Sequence, residues 1–178
     1  MKKTKKTISF RVDPQILDKL HHAAKEDSIA LNVLVNQIFS GYINWDRPAI
    51  RSGWILVKKE ILKGILDKLN EKEIKVMAIK LAREIMKDTM LSMKGKMDLE
   101  SWISITKYRS ERSNFHYHES KEDSEINIII THNMGNKWSF FHRWYYHQML
   151  KDLKVIPLID YTDKTIILKI RPLKNRKS

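Results

Sequence analysis

The sequence predicts an α+β protein in two parts: a short strand–helix–helix module, then a helical segment and an antiparallel sheet domain of order β-β-α-β-β. Three observations carry this. Residues 7–12, Thr-Ile-Ser-Phe-Arg-Val, alternate polar and apolar, as a half-buried strand does. Two helical apolar stripes follow directly, over 14–26 and 30–45. Beyond a stretch punctuated by Pro48 and Gly53, the pattern turns to longer helices and then to strand pairs.

In the first strand, Ile8, Phe10 and Val12 would face one side and Thr7, Ser9 and Arg11 the other. Asp13 suits a helix N-cap and Pro14 the first helical position. Leu17, Leu20 and Ala24 then share a helical face, and Asp27 and Ser28 break the helix. Leu31, Leu34, Val35, Ile38, Phe39 and Tyr42 form the second stripe, weakened at Gly41. No second strand is evident before residue 50, and one strand with two short helices cannot close a core. The expected solution is an intertwined homodimer in which the two strands pair as an antiparallel ribbon. Its polar face would present Thr7, Ser9 and Arg11 from each copy, a shape and chemistry suited to the DNA major groove.

These residues resemble the ribbon-helix-helix DNA-binding family, which includes the Arc and methionine repressors. The resemblance covers about residues 6–46. It rests on the alternating strand, the Asp13-Pro14 start and the stretch DSIALNVLVNQIF. It implies that Thr7, Ser9 and Arg11 read base edges. It implies too that the second helix, starting near Ala30, Leu31 and Asn32, holds a DNA phosphate on its free amides. The implied partner is double-stranded DNA, bound by a homodimer or by a tetramer of two dimers. The turn lacks the family's usual Gly, so Asp27 or Ser28 must take the left-handed conformation, and a common Ser is Ala30 here. Where Arc buries an ionic triad, this chain aligns Ile29, Leu34 and Ile38, which predicts a dry dimer core.

The formal net charge is +13. Residues 1–46 carry seven Lys/Arg and five Asp/Glu; the rest carry 27 and 16. The basic excess therefore lies mainly outside the DNA-reading module. Lys2, Lys3, Lys5 and Lys6 form a basic arm, and Lys5 and Lys6 are placed to follow phosphates beside the ribbon. Arg171, Lys174, Arg176 and Lys177 form a basic tail. Cysteine is absent, which removes disulfides, cysteine-ligated zinc and thiol catalysis. No uncharged apolar run is long enough to span a membrane, and no apolar signal core follows the first lysines, so a cytoplasmic, nucleoid-associated protein is expected.

Residues 47–53 read as a linker between a module at 1–46 and a domain at 54–178. After the apolar piece Trp54–Val57, residues 59–69 bring Ile61, Ile65, Leu66 and Leu69 to one side. Asn70 caps a longer helix with Glu73 in a capping box, and Ile74, Met77, Leu81 and Ile85 define its face. A further helix runs from Asp98 to about Arg109. Strands follow at 113–119 and 125–132, a helix at 136–152, and strands at 154–161 and 165–171. Gly135 can make the strand-to-helix turn, where a helix N-terminus could take an anion; an ordinary turn with Trp138, Phe141 and Tyr145 as core is favoured. With Phe140, Trp144 and Tyr146 as well, that helix should be sandwiched between the sheet and another surface.

His116 and His118 share a strand face, but no further ligand spacing joins them to His132, His142 or His147. No metal, cofactor or catalytic role is expected. The expected function is a sequence-specific transcriptional regulator, such as a repressor, whose C-terminal domain senses a small ligand or binds a partner protein. Rivals are an antitoxin and an architectural DNA binder. An enzyme acting on nucleic acid needs a carboxylate or histidine cluster that the sequence does not supply.

Overall fold

The first helix begins where Asp13 and Pro14 place it. In the computed structural model, which describes residues 6–123, 125–155 and 157–171, α1 spans Pro14–Glu26. The Asp13 carboxylate accepts the Gln15 amide at 2.8 Å. The helix ends with Ser28 in the left-handed region (φ 54), so Ser28 and not Asp27 replaces the missing glycine. The Ile29 amide donates to the Ala24 carbonyl (2.9 Å) and the Ser28 amide to Lys25 (3.1 Å), a Schellman closure. Helix α2 follows, Leu31–Gly41. The chain divides into two compact units, Met1–Ile43 and Asn44–Ser178.

The expected N-terminal ribbon is not formed. Residues 6–13 belong to no helix or strand, and every described strand lies between His116 and Ile170. The fold is α+β, but it is not a ribbon-helix-helix module followed by a sheet domain. The physical reason is hydrogen bonding: alternation makes a segment strand-compatible, but a ladder needs a second backbone, and nothing described in this chain offers one to 7–12. The expected linker is also corrected. A π-helical turn, Tyr42–Asp46, leads into α3, Arg47–Arg51. Pro48 lies in the first turn of α3, where a proline is tolerated. Trp45 and Ala49 are buried in the larger unit's core, and Trp45 packs on Trp54.

The larger unit continues with α4 (Lys59–Lys68), α5 (Glu71–Lys94) and α6 (Leu99–Arg112). Then come β1 (His116–Glu122), β2 (Glu125–Thr131), α7 (Asn136–Asp152), β3 (Pro157–Tyr161) and β4 (Thr165–Ile170). The sheet is antiparallel throughout, in the order β1-β2-β4-β3. Ile126, Ile128 and Ile130 stand opposite Ile170, Leu168 and Ile166, and all six are buried on one face. That face meets α7, which packs on α5 as well as on β3 and β4. The capping box is present: the Asn70 side chain accepts the Glu73 amide (3.0 Å) and Glu73 accepts the Asn70 amide (2.8 Å). Gly95 closes α5 in the left-handed conformation (φ 68). Lys137 donates to the carbonyls of Asp67 (2.8 Å) and Leu69 (2.6 Å), tying the start of α7 to the end of α4.

Two helical faces differ from expectation. On α5 the buried apolar residues are Ile74, Ala78, Ala82, Met86, Met90 and Met93, whereas Ile85 is half exposed. The face that packs on α7 is therefore the alanine–methionine stripe and not the bulkier one. On α4, Leu66 is buried while Ile61 and Ile65 are exposed. Met90→Ala should therefore destabilise the protein by about 2–5 kcal/mol, but Ile85→Ala by less than about 1 kcal/mol. Urea unfolding at neutral pH measures both; equal destabilisation would mean the face is wrongly assigned.

Candidate nucleic-acid interface

The residues expected to touch DNA fall in the smaller unit. Lys6, Thr7, Ser9 and Arg11 are all exposed, as are Ile8, Phe10 and Val12. Lys5 lies outside the described residues. Phe10 meets Phe39 of α2 edge-on, with ring centroids 5.6 Å apart. This contact places Phe10 beside α2, and no local pattern in the sequence announces it.

At the start of α2, Ala30 takes the N-cap with no side-chain hydrogen bond, and no acidic residue lies in the first turn. The Val33 and Leu34 amides both donate to the Ala30 carbonyl. The amides of Ala30, Leu31 and Asn32 meet no described acceptor. Three uncommitted N–H groups at the positive end of a helix dipole form an anion-binding arrangement, with no carboxylate to compete for it. Ala30, Leu31 and Asn32 thus lie at the start of α2. Ala24 and Gly41 are the only fully buried described residues of this unit, and Ile16, Val33, Ile38 and Phe39 are largely exposed.

The basic tail is only partly described. Arg171 pairs with Glu125 of β2 at 2.7 Å; Lys174, Arg176 and Lys177 lie outside the described residues. Basic residues also stand on the larger unit's surface. The Lys75 ammonium sits 3.8 Å from the centre of the Trp144 ring.

The histidines divide by environment. His116 and His118 are exposed on the sheet face away from the buried isoleucines. Among the described residues no group of three or more His, Asp or Glu is arranged to hold a metal. His132 and Ser139 are both buried and lie 2.9 Å apart, Nε2 to Oγ. The pair does not have the geometry of an activated nucleophile. His132 Nδ1 accepts the Met134 amide (3.0 Å), so the ring proton is on Nε2 and is donated to the serine. Burial pushes the His132 pKa down to about 4. His142, enclosed in α7, donates Nδ1–H to the Trp138 carbonyl at 3.0 Å. Burial, and then the Arg109 charge, keep it neutral well below the usual histidine range. Arg109 in turn donates to the Tyr146 hydroxyl. These groups lock the core.

Among the described residues no helix is long and apolar enough to cross a membrane. No protein-family model matches the chain, and no curated protein matches it.

The buried neutral histidines make stability pH-dependent. Their folded pKa values lie below the unfolded value near 6.5, so the unfolded chain binds more protons below that pH. The contribution is complete above about pH 6.5 and fades as the pH falls towards 4. Urea unfolding should show His132 alone costing about 1–2 kcal/mol between pH 7 and pH 5, with a smaller decrease in His132→Gln. A His132→Gln protein whose stability falls as far as the wild type's would contradict the assignment.

Proposed function

We propose that this chain is a homodimeric, sequence-specific DNA-binding regulator of transcription, working in the cytoplasm on the nucleoid. The observation that carries this reading is the set of uncommitted amides at Ala30, Leu31 and Asn32, on the same small unit as the exposed Lys6, Thr7, Ser9 and Arg11. The amides and Lys6 would hold phosphates, which positions the protein without reading sequence. Arg11 can bond a guanine edge in two places, and Thr7 and Ser9 can each donate and accept. The resemblance of residues 6–46 to ribbon-helix-helix DNA-binding proteins points the same way in sequence pattern alone, since no strand forms at 7–12.

The dimer is supported by burial. A unit of some forty residues that leaves Ile8 70% and Phe10 58% exposed, with Ile38 and Phe39 close to half exposed, lacks a core of its own. A second copy would cover those side chains. The net charge of +13 supports a polyanionic partner.

Selection of bound DNA from a random pool by the full chain would identify a cognate site. Against that site, Arg11→Ala should weaken binding by about 1–3 kcal/mol for each guanine edge it no longer reads, with an unchanged melting temperature. Lys6→Ala should weaken cognate and scrambled DNA alike. A Thr7→Ala, Ser9→Ala, Arg11→Ala protein that keeps its preference for the selected site, or a pool that yields no site, would overturn the reading.

The assembly is tested separately. Sedimentation should show a dimer for the wild type, and Ile38→Glu should shift it to monomer with its helix content retained, because the position is accessible in the single chain. A wild-type protein that stays monomeric at every concentration would exclude a homodimer.

A further inference from the structure

The seam between α5 and α7 is not closed along its whole length. Beside the connection from α5 to α6 it opens into a cavity of about 170 Å3. The floor is apolar: Met86, Met90 and Met149 line it, and all three are buried. Met97, 40% exposed, lines it from the connection. The rim is charged. Arg83 and Lys87 stand one helical turn apart on α5, and Asp152 lies at the end of α7.

The rim charges are unevenly engaged. Asp152 accepts a hydrogen bond from the Gln148 amide nitrogen at 2.8 Å. The Gln148 carbonyl oxygen meets Arg83 at 3.4 Å, a long contact that leaves most of the guanidinium's donors free. Lys87 meets no described hydrogen-bond or ion-pair partner. Two cations against one carboxylate give the rim a net positive charge at neutral pH.

We propose that this cleft binds a small organic anion with an apolar body, its carboxylate between Arg83 and Lys87 and its ring or short chain on the methionine floor. The size fits: apolar cavities of about 150 Å3 accept benzene. The lining fits as well. Thioether side chains are flexible and polarisable and mould to a guest, and sulfur contacts aromatic ring edges favourably. The charge selects anion over cation, and a single carboxylate is a poor cage for a metal ion. This site is independent of the DNA reading, since all its residues belong to the larger unit.

Phenylacetate is a suitable probe, with phenethyl alcohol and phenethylamine as neutral and cationic counterparts. The full chain carries eight methionines, so 13C-methyl labelling gives a compact set of reporters. Phenylacetate should shift the Met86, Met90, Met97 and Met149 methyl signals saturably. It should bind at least about tenfold more tightly than either counterpart. Arg83→Gln with Lys87→Gln should remove that preference while the remaining methyl signals hold their positions. If the double variant loses its dispersed spectrum, Asp152→Asn gives the opposite test, because removing the rim's negative charge should tighten phenylacetate. The proposal fails if there is no saturable shift up to about 10 mM. It fails equally if the shifts fall on other methionines, if the amine binds as well as the acid, or if Asp152→Asn does not tighten binding.

Discussion

The larger unit depends on one constraint: α7 is covered on two sides. Its neighbours are α5 on one side and β3 and β4 on the other. A helix in that position cannot keep a free polar face, so the polar groups it carries inward need partners inside the protein, and among them only the Trp144 indole N–H is buried without one. His142 finds the Trp138 carbonyl, Ser139 finds His132, and Tyr146 finds Arg109. Gln148 bridges Arg83 and Asp152. The aromatic richness of the helix follows from the same cause. Tyr146 packs edge-on against Trp102 of α6, and Phe140 meets Tyr161 of β3. Aromatic rings offer large area to both layers with few rotatable bonds to immobilise.

This explains which parts of the fold were legible. The runs EINIIIT and TIILKI are β-branched and bounded by polar turns, and they lie opposite one another in the sheet. The Asn70–Glu73 box and Gly135, with φ 87 at the start of α7, are local devices, readable because their physics is complete within a few residues. The boundaries of α7 were legible for the same reason. The orientation of α5 was not. Hydrophobicity ranks Ile85 above Ala82, yet Ala82 is buried and Ile85 half exposed, because the face is set by packing against α7, which no single-helix pattern records. The cleft was equally hidden. It combines Met86 and Met90 of α5 with Met97 and Met149, a grouping only tertiary structure creates.

The smaller unit teaches the converse lesson. The alternation at 7–12 is real, and so are the exposed positions of Thr7, Ser9 and Arg11. What alternation cannot encode is the partner backbone, so a strand pattern at a chain's beginning states a requirement and does not guarantee a strand. The free amides of Ala30, Leu31 and Asn32 need only that α2 begin where it does. Ala30 in place of a hydroxyl residue leaves those amides without a local acceptor, the condition under which an external anion gains most.

If the smaller unit reads DNA and the larger binds an anion as proposed, linkage limits how one can influence the other. A ligand in the α5–α7 cleft stabilises the larger unit by mass action whether or not DNA is bound. It alters DNA affinity only by the difference between its own affinities for the DNA-bound and DNA-free protein. A rigid cleft would make that difference zero, however tight the binding. This cleft is lined by four flexible thioethers, and its rim arginine is held through one long hydrogen bond to Gln148. Occupancy of the cleft would therefore respond to small shifts of α5 against α7, and α7 in turn packs on β3 and β4. If the protein couples a small anion to DNA binding, the α5–α7 seam is where the required difference in affinity can arise.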